Sequence, residues 1–536
     1  MFTLEAVKKN RAILIILVMA LLLRLPGMGW GLESVIEYFE PDEWAHTQVA
    51  KEILNSVDNK MVPDAKVQRY WTTWGYGAGI GIASYPVFKT LDLLGRALLH
   101  TDLTIFARLV SLAFSLSLIL LVFLVGQWLF NDRRKALLAA AVLALFDLNA
   151  TYSHYGTPDI VHSFWFLGAL FFATLYFFPN IGAISRLTNL AGKYSWILMT
   201  IASSAALAIR FDPIPMLAIA ALYLWKMIQE KSSKLALPMI WFLALNVFLL
   251  FAFTGFHYSP EDFLKSYKKI VEDNRIESFP YGQSLYKPLA YILITAAGTS
   301  LPIILVAAAS LLRIFKRKDQ PKLKKIALLW SLILIGAFLL VYFGPHLSVR
   351  RINVFLPFVA LAAAYGLGEL LNSGEKLKKI AVYSVIGYTG LLAAISQAQF
   401  LNDPRYRAEQ FILSDPTVAG ATIDYTEYAK TLRMPGPSQI GPAAFPEIIV
   451  MQETFYGRFW KSLATPFKIP TCCDEVLHCK NYNQCVSIQA MLSGNSPYQL
   501  IKEFRLWHPF PERFVFQKLF GNYETFLGDV LIFRKI

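Results

Sequence analysis

Long stretches almost free of charge alternate with short polar segments over the first three-quarters of the chain. The apolar runs fall at Ala12–Trp30, Ile105–Phe130, Ala136–Leu148, Ile160–Phe178, Trp196–Ala208, Ile214–Ile228, Leu235–Phe253, Leu289–Phe315, Ile326–Phe343, Asn353–Leu371 and Ile380–Ala398. A helix that crosses a bilayer needs about 20 predominantly apolar residues, so the pattern predicts about eleven transmembrane helices, the third, fifth and sixth runs being short for the task. No small-residue cleavage site follows Gly29-Trp30, so the first run reads as a span and not as a signal peptide. The expected fold class is a polytopic α-helical membrane protein.

The alternation stops near residue 401. Beyond it, a helix is expected at Arg405–Leu413 and strands at Ala421–Tyr425, Glu447–Met451, Gln499–Leu506 and Phe526–Arg534, which predicts a small soluble α/β domain over 402–536 after a membrane domain over 1–401. Two inter-span loops are long, about 31–104 and about 255–287. The first holds the amphipathic stretch Trp44–Leu54 and the aromatic, glycine-rich Tyr70–Gly77, a mixture suited to helices lying in the interface. The second reads as a partly ordered lid. No period marks tandem repeats.

Composition agrees with a membrane protein: 55% of the 536 residues are hydrophobic and 16% charged, with mean hydropathy +0.44. The net charge of +14 does not point to nucleic acid, because Lys and Arg gather in clusters between apolar runs. These clusters are Lys8, Lys9 and Arg11; Arg133, Arg134 and Lys135; Arg186 and Lys193; Lys226, Lys231 and Lys234; Arg313 through Lys325; and Lys376, Lys378 and Lys379. With alternating spans all fall on one side, which the positive-inside rule makes cytoplasmic. The two long loops and the tail are then exported, either across a cell membrane or into the lumen of the endoplasmic reticulum. All four cysteines, Cys472, Cys473, Cys479 and Cys485, lie in that tail, where an oxidising compartment would allow two disulfides. The alternative, a zinc site, lacks the usual two CxxC pairs.

Three clusters on the exported side could carry chemistry. In Phe39-Glu40-Pro41-Asp42-Glu43-Trp44-Ala45-His46, Pro41 suits the first turn of a helix, and Asp42 and Glu43 suit its positive end. Asp42 could merely cap that helix. A carboxylate there could also accept the proton of an attacking hydroxyl or amide, with His46 on the same helical face. The second cluster runs from Tyr152 through His154 and Tyr155 to Asp159, with His162 one turn later; Asp159 again follows a proline at a helix start. Asp42, Glu43, His46, Asp159 and His162 include donor types that a divalent metal would accept, although no metal is required. The third is Arg350-Arg351, two cations on the side that should be poor in them. They could snorkel, or bind a lipid phosphate in bidentate fashion. Arg210 is a further phosphate candidate, its alternative being a pair with Asp212.

In order and topology, Pro41-Asp42-Glu43, Asp159 and Arg351-Ile352-Asn353-Val354-Phe355-Leu356-Pro357-Phe358 resemble motifs of the GT-C type glycosyltransferases that use lipid-linked sugars. The likeness is to the branch of protein O-mannosyltransferases and of the aminoarabinose transferase acting on lipid A, and covers the spans through about Phe400. It implies that Asp42 is the catalytic base, that Asp159 is the second-loop acid, and that Arg351 or Arg350 contacts the donor's phosphate. Relatives often carry a lysine where this chain has Arg210, and commonly an aromatic where it has Ile352. The expected activity is therefore transfer of a sugar from a polyprenyl- or dolichyl-phosphate donor to an extracytoplasmic protein, lipid or glycan, with inversion, no cofactor and no nucleic-acid partner. One rival is an oligosaccharyltransferase, whose Trp-Trp-Asp motif is missing from the tail. The other is a lipid or sugar transporter, which would favour internal repeats and broken helices at matching positions.

Overall fold

The computed structural model describes residues 4–32, 43, 46–47, 49–51, 75–94, 100–179, 192–210, 212–253, 261, 265, 268, 286–343, 349–426, 429–431, 433–434, 446–453, 482–507, 509–520 and 527–536. In chain order the helices of the apolar region are α1 Leu4–Arg24, α2 Gly75–Leu93, α3 His100–Phe130, α4 Arg133–Ala144, α5 Asp147–His154, α6 Pro158–Phe177, α7 Ser195–Arg210, α8 Ile214–Glu230 and α9 Ala236–Phe253. They continue with α10 Tyr286–Thr299, α11 Leu301–Lys316, α12 Pro321–Phe343, α13 Leu356–Asn372 and α14 Lys376–Ala398. Every apolar run is helical, but by length and composition five helical stretches among the described residues could cross a membrane, or up to seven if each bent pair counts as one.

The bent pairs correct two expected spans. The third run is α4 and α5, which meet at 57°. There Phe146 is extended and Asp147 opens a new helix. The eighth is α10 and α11, which meet at 112°. Pro302 has no N–H to continue the ladder of α10 and crowds the preceding turn, and Ser300 reverses the chain at φ +148°. The tenth run begins as a 3₁₀ turn, Val349–Val354, before α13.

The core of the bundle is α3, α4, α6 and α13, whose apolar faces form one continuous cluster. Small residues on α4 and α13 let these helices approach closely, as membrane helices do where lipid offers no hydrophobic drive for association. Gly368 is one such point of approach, because a Cβ there would lie 2.5 Å from Lys135 Cγ on α4.

Polar side chains collect at the two ends of the bundle. At one end Arg133 donates to Asn10, Lys135 Nζ lies 2.5 Å from Glu369 Oε1, Arg317 binds Glu369 at 3.1 Å and Tyr365 at 2.7 Å, and Lys226 and Lys325 lie over Phe178 and Trp225. Several basic clusters of the sequence therefore share one end, hereafter the basic end. Helices α1, α3, α6 and the bent pair α4–α5 run between this end and the opposite one, where the C-terminal domain docks.

That domain contains α15 Pro404–Ser414, α16 Tyr482–Leu492, α17 Pro511–Phe520 and strands β1 Ile423–Tyr425, β2 Ile448–Gln452, β3 Tyr498–Phe504 and β4 Val530–Lys535. The sheet order is β1-β2-β4-β3, with β1 parallel to β2 and the other pairings antiparallel. Ile423, Tyr425, Ile448, Val450, Val530 and Ile532 pack with Ala408 and Ile412 of α15 into its core. Asp403 caps α15, is paired with the buried Arg405, and accepts the Trp30 indole N–H at 2.7 Å. From α17, Glu512 accepts the Leu301 amide at the start of α11 (3.0 Å) and the Tyr388 hydroxyl (2.7 Å), while Arg513 pairs with Asp147 at the start of α5. Cys485 lies on α16; Cys472, Cys473 and Cys479 fall outside the described residues.

Candidate active site

The acidic octapeptide is anchored by its second carboxylate. Glu43, 1% exposed, takes both arms of Arg108: Nε to Oε1 and Nη2 to Oε2, each at 2.7 Å. Its Oε1 also accepts the Gly156 amide at 2.8 Å, and a Cβ on Gly156 would meet Ala107 Cβ at 2.7 Å. The remaining reach of Arg108 goes to the carbonyls of Met28 and Trp30. The buried Arg108–Glu43 pair therefore joins the exit of α1, the start of the first long loop, α3, and the turn between α5 and α6. The described residues from Glu43 to Lys51 are helical, as the proline and acidic pair predict. Asp42 itself falls outside the described residues. With its carboxylate engaged on both oxygens, Glu43 is placed as the anchor of this segment.

Asp159 sits in the first turn of α6 and is 1% exposed. Its Oδ1 lies 2.5 Å from Arg210 Nη1, while Oδ2 is buried with no hydrogen-bond partner among the described residues. The local alternative for Arg210, a pair with Asp212, is not what forms: Arg210 hydrogen-bonds Asp159, and Asp212 accepts the Ile214 amide at 2.9 Å and has His162 Nε2 3.1 Å from its other oxygen. Burial would raise the Asp212 pKa, but the His162 ring, the Ile214 N–H and the charge of Arg210 outweigh it and hold the carboxyl below its ordinary value. Arg210 and Asp212 are 22% and 18% exposed, so the pair of pairs opens outward on its α7–α8 side.

His46 lies within reach of the Arg210 charge. Burial, with the positive Arg210 adding to it, pulls its pKa down to about 3. The folded state therefore holds His46 neutral, while the unfolded chain protonates it near pH 6.5. The sign follows: stability from this residue is intact above pH 6.5 and falls as pH drops toward 3. In detergent melts over that window, His46→Gln is expected to show a shallower acid loss than the parent; equal slopes would remove His46 from the cause.

Arg350 and Arg351 lie on the 3₁₀ turn Val349–Val354, which packs against α6; both are half-buried, and Asn353 Nδ2 donates to the Arg350 carbonyl at 3.1 Å. The other two candidates of the second cluster go elsewhere. His154 and Tyr155 enter a buried aromatic nest, with His154 5.0 Å and Tyr155 6.3 Å from the ring of Phe400, and Trp30 5.7 Å from Tyr155. Among the described residues no three His, Cys, Asp or Glu side chains are grouped to hold a metal ion.

Two buried cations were not singled out by motif reading: Arg108 and Arg24. Arg24, fully buried, donates to Ser115, Asn149 and the carbonyls of Ala20 and Ala144, tying together α1, α3, α4 and α5. The signal available was their position, since a lone cation inside an apolar run calls for a buried partner.

No protein-family model matches the chain, and no curated protein matches its sequence. Solved structures do match. ArnT from Cupriavidus metallidurans bound to undecaprenyl phosphate is 12% identical, with TM-score 0.49 over 83% of this chain and 94% of that one. Its apo state is 13% identical, with TM-score 0.46 over 84% and 94%. The archaeal oligosaccharyltransferase AglB from Archaeoglobus fulgidus, in complex with an inhibitory peptide and a dolichol-phosphate, is 14% identical, with TM-score 0.44 over 82% of this chain and 62% of that one. Over more than four-fifths of its length the chain aligns with the structures of ArnT and AglB.

Proposed function

We propose that this protein is a membrane glycosyltransferase that moves a sugar from a polyprenyl- or dolichyl-phosphate donor to an acceptor at the end of the bundle opposite the basic clusters. The observation that carries this reading is the Asp159–Arg210 pair, with one buried carboxylate oxygen unpartnered, at the end of the bundle where the Glu43 anchor holds the segment bearing Asp42. In this reading Asp42 is the general base. It takes the proton from the acceptor's hydroxyl or amide as that atom attacks the anomeric carbon, the bond from that carbon to the phosphate oxygen breaks, and direct displacement inverts the centre. Arg210, Arg350 and Arg351 neutralise the charge on the departing lipid phosphate, the site of greatest charge development. Asp159 positions Arg210, and Glu43 positions Asp42.

The chain offers a place for the lipid as well. An apolar cavity of about 180 Å³ lies among α3, α11, α12 and α13, with Trp330, Leu334, Phe355 and Phe358 in its wall. Phe355 follows Arg351 by four residues, so a phosphate at the arginines and an isoprenoid tail in the cavity would be continuous.

The test is donor turnover by the purified full-length protein in detergent, read as polyprenyl phosphate released from a synthetic polyprenyl-phosphate sugar in the presence of an envelope extract as acceptor source. Asp159→Asn is expected to lower kcat/KM by about 100-fold, the scale of losing one preorganised charge contact in the transition state. Turnover of a nucleotide sugar with no lipid-linked donor, or lipid flux across vesicles without sugar transfer, would overturn the proposal.

A further inference from the structure

At the basic end, far from the candidate active site, three helices meet in a corner that the transferase reading leaves unused. Phe178 closes the C-terminus of α6, Trp225 and Lys226 lie near the end of α8, and Lys325 lies near the start of α12. The two rings are 6.0 Å apart. Lys226 Nζ is 5.4 Å from the Phe178 centroid and 5.8 Å from that of Trp225; Lys325 Nζ is 4.9 and 5.3 Å from the same two. Two ammonium groups from different helices thus share two aromatic faces. Among the described residues the carboxylate within ion-pair reach is Glu230, 3.2 Å from Lys226, and Lys325 has none.

We infer that this corner is a binding site for the phosphate of an anionic membrane lipid. The aromatic faces hold the ammonium groups by attraction to the ring quadrupoles, yet a ring face satisfies only part of the three N–H donors of each lysine. The rest point away from the rings. Trp225 is 41% exposed and Phe178 buried, so the corner has an outer aromatic edge at the level where tryptophan settles in a bilayer and an inner apolar floor for the first carbons of an acyl chain. Two cations, one weakly compensating carboxylate and an exposed tryptophan bring together the charge and the interfacial ring that a phosphodiester headgroup would meet. Basic pockets between membrane helices on the positively charged side recognise such headgroups by the same chemistry. The neighbouring Lys231, Lys234, Lys322 and Lys324 raise the local field without sharing the rings.

The experiment uses the whole chain, delipidated in a neutral detergent and titrated with phosphatidylglycerol or phosphatidylcholine, with bound lipid counted by native mass spectrometry. Each ring-bound lysine is expected to strengthen phosphatidylglycerol binding about fivefold, so Lys226→Gln with Lys325→Gln weakens the tightest site about 25-fold. Lys226→Arg with Lys325→Arg retains it, and Lys322→Gln with Lys324→Gln changes it less than about threefold. An equal loss in the two glutamine pairs would show a diffuse field and overturn the site, as would phosphatidylcholine bound as tightly as phosphatidylglycerol. Displacement of the lipid by inorganic phosphate at equal concentration would assign the corner to free phosphate and overturn the lipid.

Discussion

Asp42→Asn is expected to reduce donor turnover by about 10²- to 10⁴-fold, the usual contribution of a positioned general base, with little change in stability. Asparagine keeps the size and one acceptor oxygen of the side chain but takes no proton near neutral pH. The fold is expected to survive because the buried clasp is made by Glu43 and Arg108, not by residue 42. Glu43→Gln should behave in the opposite way. It keeps an acceptor for Gly156 but loses half of the charge pair, so stability falls, and activity falls only as far as Asp42 is displaced. Steady-state rates beside detergent melts for the two variants separate the roles. Asp42→Asn turnover within threefold of the parent would remove Asp42 as the base.

Arg108→Ala is expected to be the most destabilising single change in the membrane domain, by about 3–5 kcal/mol, because it leaves a buried carboxylate without its countercharge. The carbonyls of Met28 and Trp30 lose their donor in the same step. Arg108→Lys should recover little, since an ammonium cannot bridge both oxygens of Glu43 and both carbonyls from one position. Removing the charges together, in Glu43→Gln with Arg108→Met, should lose less than Arg108→Ala alone. Unfolding of the purified variants in denaturant, with parent, singles and double compared, measures the coupling; a loss below about 1 kcal/mol in Arg108→Ala would mean that the pair is effectively solvated.

The apolar runs were legible as helices because charge and hydropathy leave them no other structure in lipid. Part of the tail was legible to within a few residues: a helix expected at Arg405–Leu413 is Pro404–Ser414, and the strand expected at Glu447–Met451 is Ile448–Gln452, whereas α16 and α17 were not expected. The break at Ser300 was not, since hydropathy is equally high on both sides of it and only Ser300-Leu301-Pro302 marks the turn. Site roles divide in the same way. Pro158-Asp159 announced a helix start with an acid, and the structure places it there. That Arg210 prefers Asp159, 51 residues away, over Asp212 two residues away is decided by how α6 and α7 cross. Likewise, Asp42 and Glu43 are indistinguishable as sequence, and the anchor role of Glu43 becomes visible only through Arg108, 65 residues distant.

The docking of α17 has a consequence for how the molecule is made. Leu301 emerges from the ribosome 211 residues before Glu512, the side chain that receives its amide, and Asp147 precedes its partner Arg513 by 366. Until the tail has folded against the bundle, α11 begins at a sharp bend without the Glu512 carboxylate on its Leu301 amide, and α5 begins with a buried acid lacking its cation. The bundle is therefore completed only once α17 has docked. Removing α17 would not trim an accessory element but leave two internal helix starts open, so completion of the membrane portion is tied to the folding of the tail.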